Sequence, residues 1–410
     1  MKFKPFTMSR LNIICLMALW MVFSFKSFSQ QQIINSGWQF SEDKTNWEMI
    51  NIPHTWNDKD AFDDEPGYRR GKGYYKKQLF LPKSQSDQIH YLKFNAVNQD
   101  ATVFVNGGKV GTHKGGYTAF NYNITKWLNY DNFNLIEVTV DNSHDDNIPP
   151  LNADFTFYGG IYRDVELISV PKQHISLNDF ASDGFYVNYS DVSNESAEVD
   201  VTVLVDNFDD SKSTTHLELS IFYEGKVLLT KSETVKLNPN ASKEINIKFS
   251  KLQNPKLWSP ESPNLYKLQI KLSDSNKNPI DFREQSIAFR WCSVDPNTGF
   301  SLNGKPYKLI GVNRHQDYES FGNAVPLHLQ EKDIHLIKNM GANVIRFAHY
   351  PHRRELYKLC DELGILVWTE IPIVNKVTNT KEFFQTSIDM QKEHIKQYYN
   401  YPSVVMFGYM

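Results

Sequence analysis

KLIGVNRH (308–315), ANVIRFAHY (342–350), ILVWTE (365–370) and SVVMFGYM (403–410) are four short apolar runs, each closing on polar or aromatic residues. Three amphipathic segments separate them. In the first, Ile334, Ile337 and Met340 recur at steps of three, with Gly341 placed to end the helix. In the second, Leu356, Leu359, Cys360 and Leu363 fall at i, i+3, i+4 and i+7, and Gly364 follows. The third covers 381–399, with Pro402 just beyond it. Strands alternating with helices at this spacing predict a parallel sheet with helices packed outside it, the first half of a (β/α)8 barrel.

Working outward, the chain before this region reads as all-β. Runs at 74–81, 89–94, 101–105 and 134–140 are bounded by turn residues, and Asn106-Gly107 is a strong hairpin signal. Many short strands without a helical period predict a sandwich or jelly roll over 30–170. Over 171–290, Val199, Val201, Val203 and Val205 alternate with other residues, as do Leu217, Leu219 and Ile221, and Ile245, Ile247 and Phe249. Period-two alternation means one buried face per strand, and about a hundred residues of it predict an immunoglobulin-like sandwich. Leu302-Asn303-Gly304-Lys305 marks a further hairpin at the entry to the partial barrel, assigned 291–410.

Residues 1–29 read as a secretory signal peptide: Lys2, Lys4 and Arg10 precede an apolar run over 11–25, and Ser27 and Ser29 flank the cleavage region. The expectation is an exported protein, periplasmic or secreted, with no membrane span after cleavage. Hydrophobic residues at 40% and charged residues at 22% indicate a folded chain, and a net charge of −3 argues against nucleic acid as a partner. Beyond the leader only Cys292 and Cys360 remain, and both are expected buried and unpaired.

In a parallel barrel the βα loops converge at the C-terminal strand ends, so reacting groups are sought there. The first run ends in Asn313, Arg314 and His315, the second carries Arg346 and His349, and the third ends in Trp368 and Glu370. Polar and aromatic groups at three successive strand ends suit a cleft for a polar substrate.

NIPHTWN (51–57), GGIYRDVEL (159–167), LWSPESPNLY (257–266), GVNRHQD (311–317) and RFAHYPH (346–352) together resemble the landmarks of glycoside hydrolase family 2. NRHQD and HYP are closer to its β-galactosidase branch. The resemblance implies retaining hydrolysis of terminal β-galactosides or related oligosaccharides, with an oligomer left open for the complete protein. It implies that His315 and His349 hydrogen-bond sugar hydroxyls, that Asn313 belongs to the same substrate-binding set, and that Arg346 holds catalytic carboxylates in position. Asp154, six positions before Gly160-Ile161-Tyr162-Arg163, would reach from the jelly roll to the sugar, directly or through a sodium ion. Residues 371–376 (IPIVNK) hold neither the Glu nor the His of the family's magnesium site, so magnesium is not expected.

The same resemblance places the acid/base in an Asn-Glu pair immediately after SVVMFGYM and the nucleophile on a later strand. No catalytic residue is therefore assigned within 1–410, and the isolated chain is expected to be inactive. Glu370, in a Glu-Ile-Pro context, is read as a supporting residue. Two other readings stand beside the β-galactosidase one: a β-glucuronidase, which would call for extra cationic groups facing a carboxylate, with Arg69 and Arg70 the residues considered for that role, and a non-catalytic carbohydrate-binding protein using the first sandwich.

Overall fold

The computed structural model describes residues 29–409, so the leader expected over 1–29 falls almost wholly outside it, as does Met410. The first sandwich packs a four-stranded antiparallel sheet against a six-stranded one. Its inner faces bury Trp38, Tyr75, Leu92, Phe94, Val103 and Val138, the inward residues of alternating strands. The hairpin signal at Asn106-Gly107 is realised: both residues have positive φ, 51° and 78°, and Val105 pairs with Gly108. Positive φ at both central positions is what a two-residue turn between twisted strands needs. Asn303 and Gly304 repeat the device between Leu302 and Lys305.

The second sandwich pairs a five-stranded sheet, centred on Ser196–Asn207, with a four-stranded one. Every alternating apolar residue singled out there is buried, Val199 to Val205, Leu217 to Ile221 and Ile245 to Phe249 alike.

The barrel region contributes four parallel strands, Gly311–Arg314, Val344–Phe347, Leu366–Glu370 and Val404–Gly408, in that spatial order. Helices α1 (Leu327–Asn339), α2 (Arg354–Leu363) and α3 (Lys381–Tyr398) connect them. Ile345, Val367 and Val404 pack outward against Ile334, Leu356, Cys360 and Tyr398 of the helices. Across the first three strands Asn313 pairs with Arg346 and Arg346 with Trp368, and Trp368 pairs with Met406 on the fourth. These four therefore share the opposite, lumenal face. Helix α2 ends as expected, with Gly364 left-handed at φ 68°. A Cβ on Gly364 would stand 2.5 Å from the Pro260 carbonyl, so the second sandwich also demands glycine there.

Two expectations need correction. Met340 is the C-cap of α1 and is 68% exposed, because the helix turns its last step of three away from the sheet. Cys292 is half-buried on a short edge strand, where its Sγ receives Arg290 Nη1 at 3.6 Å, while Cys360 is fully buried; both are free thiols. Among the described residues no helix is long and apolar enough to cross a membrane.

Candidate active site at the strand ends

The second and third barrel strands meet in a charged cluster. Glu370 closes the third strand with its side chain 1% exposed, and Arg346 reaches it from the neighbouring strand, Nη2 to Oε1 at 2.8 Å and Nε to Oε2 at 3.2 Å. This two-pronged contact satisfies both carboxylate oxygens, as a guanidinium fork can. Arg346 also lies over the Trp368 ring at 4.6 Å, which fixes the guanidinium plane. His349 Nδ1 is 2.8 Å from Glu370 Oε1 and 3.2 Å from Arg346 Nη2. One ring nitrogen cannot both donate and accept, and the shorter contact to the carboxylate assigns the proton to Nδ1. Nε2 of His349 is then the nitrogen left for another partner.

His315 stands edge-on to His349 with ring centroids 5.4 Å apart. Its Nδ1 is 3.2 Å from the Tyr350 hydroxyl, and burial, opposed by the nearby Asp317 carboxylate, holds its pKa below the usual histidine value. The jelly roll supplies the facing wall. Phe155 packs on His315, His349 and Tyr350 at 5.5, 6.0 and 5.2 Å, and Tyr350 stacks in turn on Tyr117 of the same sandwich at 4.3 Å. Asp154, one residue before Phe155, is exposed and acts electrostatically on His315. Asn313 is exposed on the lumenal face beside Arg346.

All five residues named from sequence thus gather at one end of the parallel strands, with His349 in contact with Arg346 on one side and with the His315 ring on the other. Sequence reasoning missed Phe155; only its place beside Asp154 could have pointed to it. Arg70, considered for a carboxylate, donates its Nε to the Asn142 carbonyl at 2.7 Å and lies over Phe157, one aromatic layer behind Phe155. Arg69 lies over Trp56 and beside Glu42, also away from the histidines. For sodium, Asp154 offers one carboxylate, and no set of three His, Cys, Asp or Glu side chains suited to a metal occurs among the described residues. A hard cation takes about six oxygens. No step is assigned to the ion.

Other parts of the recognised motifs hold domains together. Arg163, buried, donates to the Pro351 carbonyl and to Gln316 Oε1, both at 2.8 Å, and to the Tyr117 carbonyl at 3.1 Å. Tyr158 donates to Asp317 at 3.0 Å. Trp258, fully buried, donates its Nε1–H to the Asp361 carbonyl on α2 at 2.9 Å. Arg314 is tied to Asp333 on α1 and donates to His352 Nδ1 at 2.9 Å, so the buried, neutral His352 carries its proton on Nε2.

Comparison with known proteins follows this division of labour. Three sequence profiles match in succession: "Glycosyl hydrolases family 2, sugar binding domain" over 16–171, "Glycosyl hydrolases family 2" over 182–290 and "Glycosyl hydrolases family 2, TIM barrel domain" over 295–409. A putative β-glucuronidase of Formosa agariphila is 36% identical over 96% of the chain and 48% of its own length. A β-galactosidase of Thermoanaerobacterium thermosulfurigenes is 31% identical over 92% of the chain and 53% of its own length. The crystal structure of a Bacteroides uniformis β-glucuronidase superposes with a TM-score of 0.90 and 38% identity, covering 93% of this chain and 46% of that one. The chain spans about half the length of the relatives it matches. With jelly roll, immunoglobulin-like sandwich and barrel strands in the order of all three profiles, this chain belongs to glycoside hydrolase family 2.

Proposed function

We propose that this chain forms the substrate-orienting part of a retaining exo-β-glycosidase, and that β-glucuronides are the substrate class. Support for the glucuronide over the galactoside comes from similarity: the relative named a putative β-glucuronidase is 36% identical, against 31% for the β-galactosidase. β-Galactosides are the second reading, favoured by the NRHQD and HYP motifs and by that galactosidase relative.

The observation that carries the proposal is the fixed contact of His349 with Glu370 and Arg346 beside His315 and Phe155. Glu370 accepts the Nδ1 proton of His349, which leaves Nε2 to accept a hydrogen bond from a sugar hydroxyl. His315 and Asn313 offer further polar contacts from the first strand, and Asp154 reaches in from the jelly roll. Phe155 presents an apolar face against which a pyranose ring packs. Polar groups fixed before the substrate arrives cost no reorganisation in the transition state. Retaining hydrolysis also needs a general acid and a nucleophilic carboxylate about 5 Å apart. Glu370, sealed between Arg346 and His349, is assigned neither role. The isolated 410-residue chain accordingly turns over no glycoside.

The test is hydrolysis of nitrophenyl β-glucuronide and β-galactoside by this chain and by a version extended to the relatives' full length. The expected result is turnover by the extended protein alone, with the glucuronide favoured. Turnover by the 410-residue chain that disappears in His349→Ala would overturn the division of roles. Preference of the extended protein for the galactoside would select the second reading.

A further inference from the structure

Two histidines face the mouth, and the hydrogen bonds behind them decide which ring nitrogen carries the proton. For His349 the Glu370 carboxylate decides: Nδ1 donates to it at 2.8 Å, which leaves Nε2 an acceptor. His315 has a different neighbour. Its Nδ1 stands 3.2 Å from the hydroxyl of Tyr350, a residue only 4% exposed.

A buried hydroxyl proton needs an acceptor, and among the described residues the side-chain partner of the Tyr350 hydroxyl is His315 Nδ1. The accepting side of the same oxygen is met by the Gln316 backbone N–H. Burial also pushes the phenol well above its usual range, so the proton stays on Tyr350. Tyr350 therefore donates, Nδ1 of His315 accepts, and the His315 proton sits on Nε2. The tyrosine ring has little freedom to turn its hydroxyl elsewhere. Tyr117 stacks on it at 4.3 Å with 9° between the planes, His352 lies against it at 5.4 Å, and Phe155 meets it edge-on at 5.2 Å. The backbone around Tyr117 is held in turn. Arg163 donates to the Tyr117 carbonyl at 3.1 Å and Tyr162 to the Gly116 carbonyl at 2.6 Å. The Gln397 amide pairs with both the N–H and the carbonyl of Ala119, at 3.0 and 2.7 Å.

We propose that Tyr350 is a positioning residue that locks His315 as the Nε2–H tautomer, opposite to His349, so that the pair presents one donor and one acceptor to substrate hydroxyls. A hydroxyl both donates and accepts, and so matches the two rings; an ether or a carboxylate answers only the donor. With centroids 5.4 Å apart, the two imidazoles form a hydroxyl-selective pair. The use of the pair rests on the glycosidase reading, whereas its tautomers do not.

Nitrogen NMR of the full chain, with isotope-labelled histidine rings at about pH 8, where an unperturbed imidazole is neutral, reads each tautomer directly. Loss of a signal in His315→Gln or His349→Gln assigns it. The expected result is a protonated Nε2 in His315 and a protonated Nδ1 in His349. Tyr350→Phe keeps the stacked ring and should release His315 into a mixture of tautomers while His349 stays as it was. A His315 protonated on Nδ1 in the unsubstituted chain, or one indifferent to Tyr350→Phe, would overturn the proposal. Should Tyr350→Phe fail to fold, fluorotyrosine placed at position 350 decides: its more acidic hydroxyl donates more strongly, and a His315 Nδ1 signal that does not shift sinks the idea. The spectrum requires no turnover, so a wrong tautomer leaves the glycosidase reading standing, and an extended protein that hydrolyses no glycoside leaves the tautomers standing.

Discussion

Arg163 Nη2 donates to Gln316 Oε1 across 2.8 Å, joining the last part of the jelly roll to the loop that follows the first barrel strand. The same guanidinium serves the Pro351 and Tyr117 carbonyls, so one buried side chain fixes the jelly roll against two successive strand-end loops. Arg163→Met is expected to leave those acceptors unpaired and to cost on the order of 3 kcal/mol, taking hydrogen bonds to a charged donor as about 1.5–3 each and some as regained by water. Denaturant unfolding measures the loss, and a change below about 0.5 kcal/mol would mean that the interface is held elsewhere.

Glu370 makes a second test. Removing one member of a fully buried ion pair costs roughly 3–5 kcal/mol, and because Arg346 is a quarter exposed the lower end applies. Glu370→Ala is expected to destabilise by that amount. Glu370→Gln keeps the shape and an acceptor for His349, so it should lose less stability. In the extended enzyme Glu370→Gln should lower kcat/KM more than it lowers the unfolding midpoint. Equal proportional losses would reduce Glu370 to a packing role.

Burial pushes the Asp361 carboxyl up to about 8, although its Oδ1 accepts the Ser403 N–H at 2.7 Å. Its folded-state pKa lies above the unfolded one, so the folded chain holds the proton more tightly. The associated stability is full below pH 4 and is lost as pH rises through about 8. Asp361→Asn should flatten that decline, read as denaturant midpoints between pH 4 and 9.

The acid side runs the other way. Burial lowers His394 to about 3, with its Nε2 on the Thr369 hydroxyl at 2.9 Å. A depressed pKa gives stability present above the unfolded value of 6.5 and lost as pH falls toward 3. His394→Gln should weaken the dependence of stability on pH in that window; an unchanged slope would mean that other groups, His352 foremost, carry it.

Gly364→Ala tests the seam between α2 and the second sandwich. A left-handed φ costs a β-carbon about 1 kcal/mol, and the 2.5 Å approach to the Pro260 carbonyl adds to it. A loss above 1 kcal/mol in unfolding is expected, where Gly341→Ala, with open space at its Cβ, should show the backbone part alone.

Local chemistry made much of this architecture legible. Asn-Gly pairs turn where a positive φ is needed, alternating valines are buried, and the i, i+3, i+4 pattern of α2 carries Leu356 and Cys360 into the core. Met340 failed because a spacing of three continues to look helical past the point where the helix leaves the sheet. The site was legible at the level of strand ends and less so in its partners. Phe155 comes from a loop whose path depends on the docking of two domains, and no local period encodes that. The motif strings likewise mixed two kinds of residue: His315 and His349 face the mouth, whereas Arg163, Gln316 and Asp317 hold the jelly roll to it.

That separation has an evolutionary consequence. The jelly roll grips the barrel through Arg163, while it shapes the mouth through the loop bearing Asp154 and Phe155. Grip and reach are therefore independently variable. Substitutions around Asp154 and Phe155 therefore reshape the mouth without touching the contacts of Arg163 that hold the assembly.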